Sequence, residues 1–130
     1  MQLRIYYEDT DAGGVVYHAN YLGYFERART EFLRLRGLSV KELHEEGAIF
    51  PVIRVEADFK APARLDDLLR IDTTVLTVGK SSFTLLQQAI RQEDGRLLVE
   101  AKITLACVAP GMKAKRLPAP LKALLEQAHA

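Results

Sequence analysis

A chain of 130 residues is the length of one domain, residues 1–130, and folding buries roughly two-thirds of the surface its unfolded form exposes, so neither disulfides nor a structural metal is required. Eighteen Lys and Arg against 17 Asp and Glu leave a net charge of +1, too weak a field to grip a nucleic-acid backbone. One cysteine, Cys107, excludes an intrachain disulfide and a Cys-based zinc site.

Charge interrupts the first residues before any apolar leader forms, and no window approaches about 18 consecutive apolar residues, so no export signal or membrane span is expected and the expected compartment is the cytoplasm. Leu3 to Glu8, centred on Ile5-Tyr6-Tyr7, reads as a strand. It runs into the acidic loop Asp9-Thr10-Asp11-Ala12-Gly13-Gly14, whose paired glycines admit backbone conformations closed to other residues and mark a place of close approach. Beyond Val15-Val16-Tyr17-His18-Ala19, the residues Tyr21, Phe25, Ala28, Phe32 and Leu35 recur at spacings of four and three. They form one apolar stripe on a helix capped by Asn20 and stopped at Gly37. That helix has about 16 residues and spans roughly 25 Å, the longest in the chain. Val40 to Glu46, behind Ser39 and ahead of Gly47, predicts a shorter one.

From Ala48 the period becomes two: Ile53, Val55, Ala57 and Phe59 alternate with Val52, Arg54, Glu56 and Asp58 until Pro62 and Asp66-Asp67 break the run. Leu69 to Val78 and Ser82 to Arg91 join through Gly79-Lys80, and Asp94-Gly95 predicts a two-residue hairpin before Leu97. In the last strand Leu97, Val99, Ala101, Ile103, Leu105 and Cys107 face one way, Glu100, Lys102 and Thr104 the other. Pro110-Gly111 ends it, and Leu121 to Ala128 forms a terminal helix behind Pro118 and Pro120. A strand, a long helix and four hairpin-linked strands make an α+β fold, a five-stranded antiparallel sheet wrapped around one long central helix. A single helix cannot cover five strands, so a homodimer is the minimal expectation, with an edge strand or bare sheet face pairing with a second copy.

Phosphate-loop, serine-hydrolase-elbow, zincin and dinucleotide-binding signatures are all missing from the sequence. Asp9, Asp11 and Gly14 fall at positions 1, 3 and 6 of a calcium loop, but Gly13 and Asn20 stand where further oxygen ligands belong. Asp9, Asp11 and His18 offer three transition-metal ligands with no supporting spacing, and no metal is expected. The organic alternative has a physical basis. A carboxylate in a loop just before a helix start lies near unpaired N–H groups that polarise a carbonyl, while the carboxylate, ionised at neutral pH, attacks or activates water. Against it stands the plain structural alternative, in which Asp9 and Asp11 make Asx turns or pair with arginines. His18 is either a packing and capping residue or a contact to the reacting carbonyl through its ring or its N–H. Tyr7 reads as core or pocket wall, His44 and His129 as surface, and Cys107 as an inert core thiol. Lys60, Arg64 and Lys80 beside turns, with Lys113, Lys115 and Arg116 after the last strand, are the cations available to a phosphorylated ligand.

The run from Tyr6 through Tyr21, continued by Phe25-Glu26-Arg27-Ala28-Arg29-Thr30-Glu31, and the later Ala61-Pro62-Ala63-Arg64-Leu65-Asp66-Asp67 resemble the YbgC-like acyl-CoA thioesterases associated with the Tol-Pal system. These belong to the 4-hydroxybenzoyl-CoA thioesterase superfamily of hotdog folds. The resemblance covers nearly the whole chain and implies a hotdog domain that assembles as dimers, expected here to pair into a homotetramer, with active sites at the dimer interface. It implies Asp11 as the catalytic carboxylate, nucleophile or general base, and an N–H at or next to His18 as the group that polarises the thioester carbonyl. Tyr7 then lines the site, with Gly13, Gly14, Val15, Lys60 and Arg64 as substrate-binding positions. No cofactor is implied, since coenzyme A is part of the substrate. Two other readings remain open to the same fold: a non-catalytic acyl-CoA-binding or Tol-Pal-associated protein, and a dehydratase or hydratase acting on β-hydroxyacyl chains.

Overall fold

In the computed structural model, which describes residues 1–129, an antiparallel sheet runs in the order β1-β3-β4-β5-β2. β1 (Gln2–Arg4) and β2 (Val52–Phe59) are its edges, with β3 (Leu68–Val78), β4 (Ser82–Arg91) and β5 (Leu97–Ala106) between them. Only β3, β4 and β5 follow one another as hairpins. β2 pairs with β5 and β3 with β1 and β4, which corrects the expected run of four hairpin-linked strands. Alternation reports which face a side chain occupies and carries no information on which strand lies beside it.

The first strand is also shorter than its β-rich sequence predicts. Pairing continues only as far as Ile5, whose N–H donates to Asp67 O at 2.9 Å; the chain then coils into a 3-10 turn over Tyr7–Asp9. The Asp9 carboxylate accepts the Tyr6 N–H at 2.8 Å, a local bond that outcompetes further extension.

α1 (Asn20–Arg34) lies against the sheet and buries Tyr21, Tyr24, Phe25, Ala28 and Leu33. Its N-cap is Ala19, not Asn20, because the Asn20 amide donates instead to Asp9 O at 3.0 Å. At the other end Gly37 N–H reaches Arg34 O and Leu38 N–H reaches Leu33 O, both at 3.0 Å, a Schellman closure that stops the helix where expected. The buried stripe differs at its end: Leu35 is 82% exposed and Leu33 is inside. Cover there comes from Val40, Leu121 and Leu125, which share a cavity wall with Leu33. Burying side chains such as Phe25, Ile103 or Leu98 completely stabilises the fold by roughly 1.5–3 kcal/mol each.

Ser39 Oγ accepts the Glu42 N–H at 3.2 Å and caps α2 (Val40–Glu45); α3 (Ala119–Gln127) buries Leu121 and Leu125. The β4–β5 connection is longer than a two-residue turn. Arg91 N–H donates to Arg96 O at 2.9 Å, leaving residues 92–95 as the loop. Arg91 holds Asp94 through Nη2 at 2.8 Å, and that bond pulls the Asp94 carboxyl down to about 2. Among the described residues no helix is long and apolar enough to cross a membrane.

The outer edge, β2, is bare. Ile53 is 60% and Phe59 54% exposed, with Val52 and Val55 open beside them, and among the described residues no strand pairs with its free side. Although Arg54, Glu56 and Asp58 alternate with these apolar residues, a long edge with unpaired backbone groups is a template for strand addition.

Candidate active site

Between the 3-10 turn and α1 the chain doubles back on itself. Thr10 bridges Val16, and Asp11 N–H donates to Val15 O at 2.9 Å, so the acidic loop is a narrow hairpin with Ala12, Gly13 and Gly14 at its tip. Gly14 sits at φ +78°, a conformation that strains any residue with a Cβ. Gly13 turns its N–H onto Asp11 Oδ1 at 2.8 Å, and a Cβ built on Gly13 comes within 3.2 Å of that oxygen.

The two loop aspartates are thereby separated. Asp9 spends both carboxylate oxygens inside the protein, Oδ2 on the Tyr6 N–H and Oδ1 on the Tyr24 hydroxyl at 2.7 Å. Asp11 is exposed and uses only Oδ1, leaving Oδ2 without a protein partner among the described residues. The Asx-turn alternative therefore applies to half of the Asp11 carboxylate, and among the described residues no arginine pairs with either aspartate.

Asp11 lines a crevice together with Val15, Val16, His18, Tyr21, Phe59, Lys60, Ala61 and Pro62. The His18 ring is tilted against Tyr17 at 4.6 Å and meets Phe59 edge-on. Phe59 also packs against Tyr21, centroids 5.9 Å apart. At the start of α1, Tyr17 N–H is used by Asp9 O and Asn20 N–H by Tyr17 O. The N–H groups of His18 and Ala19 between them find no acceptor among the described residues. Unpaired donors at a helix start carry partial positive charge, and His18, which bears one of them, lines the same crevice as the Asp11 carboxylate. That pairing can polarise a carbonyl and deliver a base or nucleophile to it.

The structure thus brings Asp11, His18, Val15 and Lys60 together, with Gly13 and Gly14 at the loop tip. Arg64 stands next to them through the bridge it forms with Val15, exposed and in reach of solvent-borne anions. Tyr7 is different. It is 84% exposed on the 3-10 turn and is neither core nor a wall of the crevice, because the strand expected to turn it inward has ended. The aromatic wall comes from Tyr21 and Phe59, which sequence reasoning had placed only in a helix stripe and a strand alternation. The one signal for Phe59 is its position at the end of a strand, just before Lys60-Ala61-Pro62.

Cys107 is fully buried; burial pushes its thiol up, which makes it a poor nucleophile. His44 is exposed, and His129 contacts Leu76 O through its ring. Among the described residues no group of three or more His, Cys, Asp or Glu side chains is gathered where it could hold a metal ion. Asp9 and Asp11 face different partners and do not converge with His18 on one point.

The family model of the thioesterase-like superfamily matches residues 6–127. The chain is 44% identical over 126 residues to the acyl-CoA thioester hydrolase YbgC of Escherichia coli O6:H1, covering 96% of this chain and 93% of that one. It is 44% identical over 123 residues to the acyl-CoA thioesterase YbgC of Haemophilus influenzae, covering 93% and 89%. Among solved structures, a 1,4-dihydroxy-2-naphthoyl-CoA thioesterase from Synechocystis superposes with a TM-score of 0.89 at 27% identity over 96% of this chain and 93% of that one.

Proposed function

We propose, from the premise that the chain belongs to the thioesterase-like superfamily and is a hotdog-fold acyl-CoA thioesterase of the YbgC type, that Asp11 carries the hydrolysis with the amide donors at the start of α1. The observation that supports this reading is the shared crevice: Asp11, with one free carboxylate oxygen, and His18, whose N–H has no acceptor among the described residues, line it together, and Ala19 with a second unpaired N–H follows His18 in the chain. The thioester carbonyl docks its oxygen on those donors. Asp11 Oδ2 either takes a proton from an attacking water or bonds to the acyl carbon itself, and the carbonyl oxygen becomes an oxyanion held by the N–H groups. The carbon–sulfur bond then breaks and the leaving thiolate of coenzyme A takes a proton. Where Asp11 acts as base, it returns the water's proton and the acyl group departs as a carboxylic acid. Where Asp11 has bonded to the acyl carbon, water hydrolyses the acyl–Asp11 anhydride, protonates the thiolate and frees both the acid and the Asp11 carboxylate. Water and the thioester supply every atom, so the balance needs no prosthetic group. Lys60 and Arg64, exposed at the rim, suit the phosphates of coenzyme A.

The same reading makes the protein a homodimer joined along β2, with two dimers forming the homotetramer. Antiparallel pairing of β2 about a two-fold axis sets its Phe59 end, which walls the Asp11 crevice, beside the partner's Val52 end. There Phe50, Phe83 and Leu105 line an apolar cavity of about 120 Å³ able to take part of an acyl group. Its lone thiol is free and buried, which suits a reducing cytoplasm.

The test is thiol release from a panel of acyl-CoAs of different chain length and aromaticity. Asp11→Asn is expected to lower turnover by about 100-fold or more while acyl-CoA still binds and the fold is kept. Full activity in that variant overturns the assignment of Asp11. A binding module of the same fold saturates with acyl-CoA and releases no thiol, and a hydratase gives product with its thioester intact.

A further inference from the structure

Four donors from two separate stretches of chain converge on Asp9. Its Oδ2 accepts the Tyr6 N–H at 2.8 Å, where β1 has just ended. Its backbone O accepts the Asn20 amide at 3.0 Å and the Tyr17 N–H at 3.1 Å, where α1 is about to begin. Its Oδ1 accepts the Tyr24 hydroxyl at 2.7 Å from the second turn of α1. Asp9 is therefore a clamp that closes the base of the loop between residues 9 and 17. Asp11 lies two residues beyond one jaw and His18 one residue beyond the other, so the clamp sets the gap between the Asp11 carboxylate and the amide donors.

Two of these four bonds come from α1 itself, the Asn20 amide from its first residue and the Tyr24 hydroxyl from its second turn. The Tyr6 and Tyr17 bonds close the loop on itself, the Asn20 amide ties its backbone to the first residue of α1, and the Tyr24 hydroxyl is the bond that ties the Asp9 side chain to the helix one turn further in. The Tyr24 ring is 4% exposed, packed edge-on to Tyr21 at 5.7 Å, and cannot swing away. Burial, then the bond to Asp9, holds its hydroxyl well above the ordinary phenol range, so it remains a donor.

We propose that Asp9 and Tyr24 are positioning residues of the hydrolysis, a carboxylate–phenol pair that fixes the catalytic loop on α1 and so sets the distance between the Asp11 carboxylate and the amides that receive the carbonyl oxygen. The proposal rests on the assignment of Asp11 and those amides made above. Neither residue touches substrate: both Asp9 carboxylate oxygens are occupied, and Tyr24 is absent from the crevice wall that Tyr21 and Phe59 form. Loss of the pair acts on the geometry of attack, which is a property of kcat, whereas the rim that holds coenzyme A is left as it was.

The test is a double-mutant cycle with Tyr24→Phe, which removes one oxygen and keeps the ring, and Asp9→Asn, which keeps the shape but can accept only one of the two side-chain bonds. Each single variant is expected to lower kcat by about 10- to 100-fold with KM within about twofold of the parent, and the double variant to be no worse than the weaker single, because the two act as one unit. Leu43→Ala, a core change in α2 remote from the loop, controls for stability: with a comparable fall in Tm it should keep its kcat at a temperature where all variants are folded. Parental kcat in Tyr24→Phe overturns the proposal, as do losses that multiply in the double variant or an equal loss in Leu43→Ala. Should Asp9→Asn fail to fold, Tyr24→Phe alone decides. Asp11→Asn run alongside keeps the two assignments apart: if it turns over normally the reading of Asp11 has failed, and if it is dead while Tyr24→Phe is normal only the positioning pair has.

Discussion

The ring of Phe59 meets the ring of His18 edge-on, their centroids 6.2 Å apart at an interplanar angle of 83°. The tail of β2 thus finishes the wall that the Asp11 loop begins. Two chain segments with no local relationship share one crevice, and its apolar side depends on a residue from the bare edge of the sheet.

Phe59→Ala is expected to raise KM for acyl-CoA by about three- to tenfold and to change kcat less, because it removes wall and leaves the reacting groups in place. Phe59 is half exposed, so the melting temperature should barely move. Steady-state kinetics beside a thermal melt check both halves, and a fall in kcat at constant KM contradicts this role.

Gly13→Ala places a Cβ 3.2 Å from Asp11 Oδ1, the oxygen that accepts the Gly13 N–H. The carboxylate must shift by a few tenths of an ångström or lose that bond. Turnover should fall about tenfold, equivalent to ~1.4 kcal/mol in the barrier, with the fold intact by circular dichroism.

Gln87 is the only buried polar side chain among the described residues. It donates to Phe25 O at 2.8 Å and Thr73 Oγ1 at 3.0 Å, and its own oxygen faces the Arg29 guanidinium. Gln87→Leu strands all three partners between α1 and the sheet. The expected loss is about 1–3 kcal/mol, read as a drop in the denaturation midpoint with an unchanged m-value.

Stability should fall as pH rises above about 10, the ordinary phenol value. Tyr24 is held above that value by burial first and by Asp9 and Tyr21 next, with Arg27 opposing. The folded state therefore keeps a proton that the unfolded chain releases. Its stabilisation is complete below the unfolded value and is lost as pH climbs towards the folded one. Tyr24→Phe should flatten the alkaline limb of a Tm-against-pH curve; an unchanged slope rejects this origin.

Ile53→Lys puts a charge on the free side of β2, a standard block to strand pairing. Sedimentation should show dissociation towards monomer, and activity should fall with it because the crevice and the cavity that completes it then belong to separate molecules. Monomers with full activity contradict the shared site.

The order of elements, the two helix stops at Gly37 and Gly47, the bounds of β4 and the position of the acidic loop ahead of the long helix were legible in the residues themselves. They depend on local rules: periodicity, capping and glycine conformations act within a few positions of the chain. The placing of β2 against β5, the exposure of Tyr7, the inward turn of Leu33 and the meeting of His18 with Phe59 were not, since each is decided by which distant segment supplies the cover. The same holds for the two aspartates. Two positions apart in sequence they are the same residue type, and only the fold, bringing the Tyr24 hydroxyl from the second turn of α1 onto Asp9 Oδ1 beside the Tyr6 N–H on Oδ2, fills the Asp9 carboxylate while Asp11 keeps one oxygen free of protein partners among the described residues.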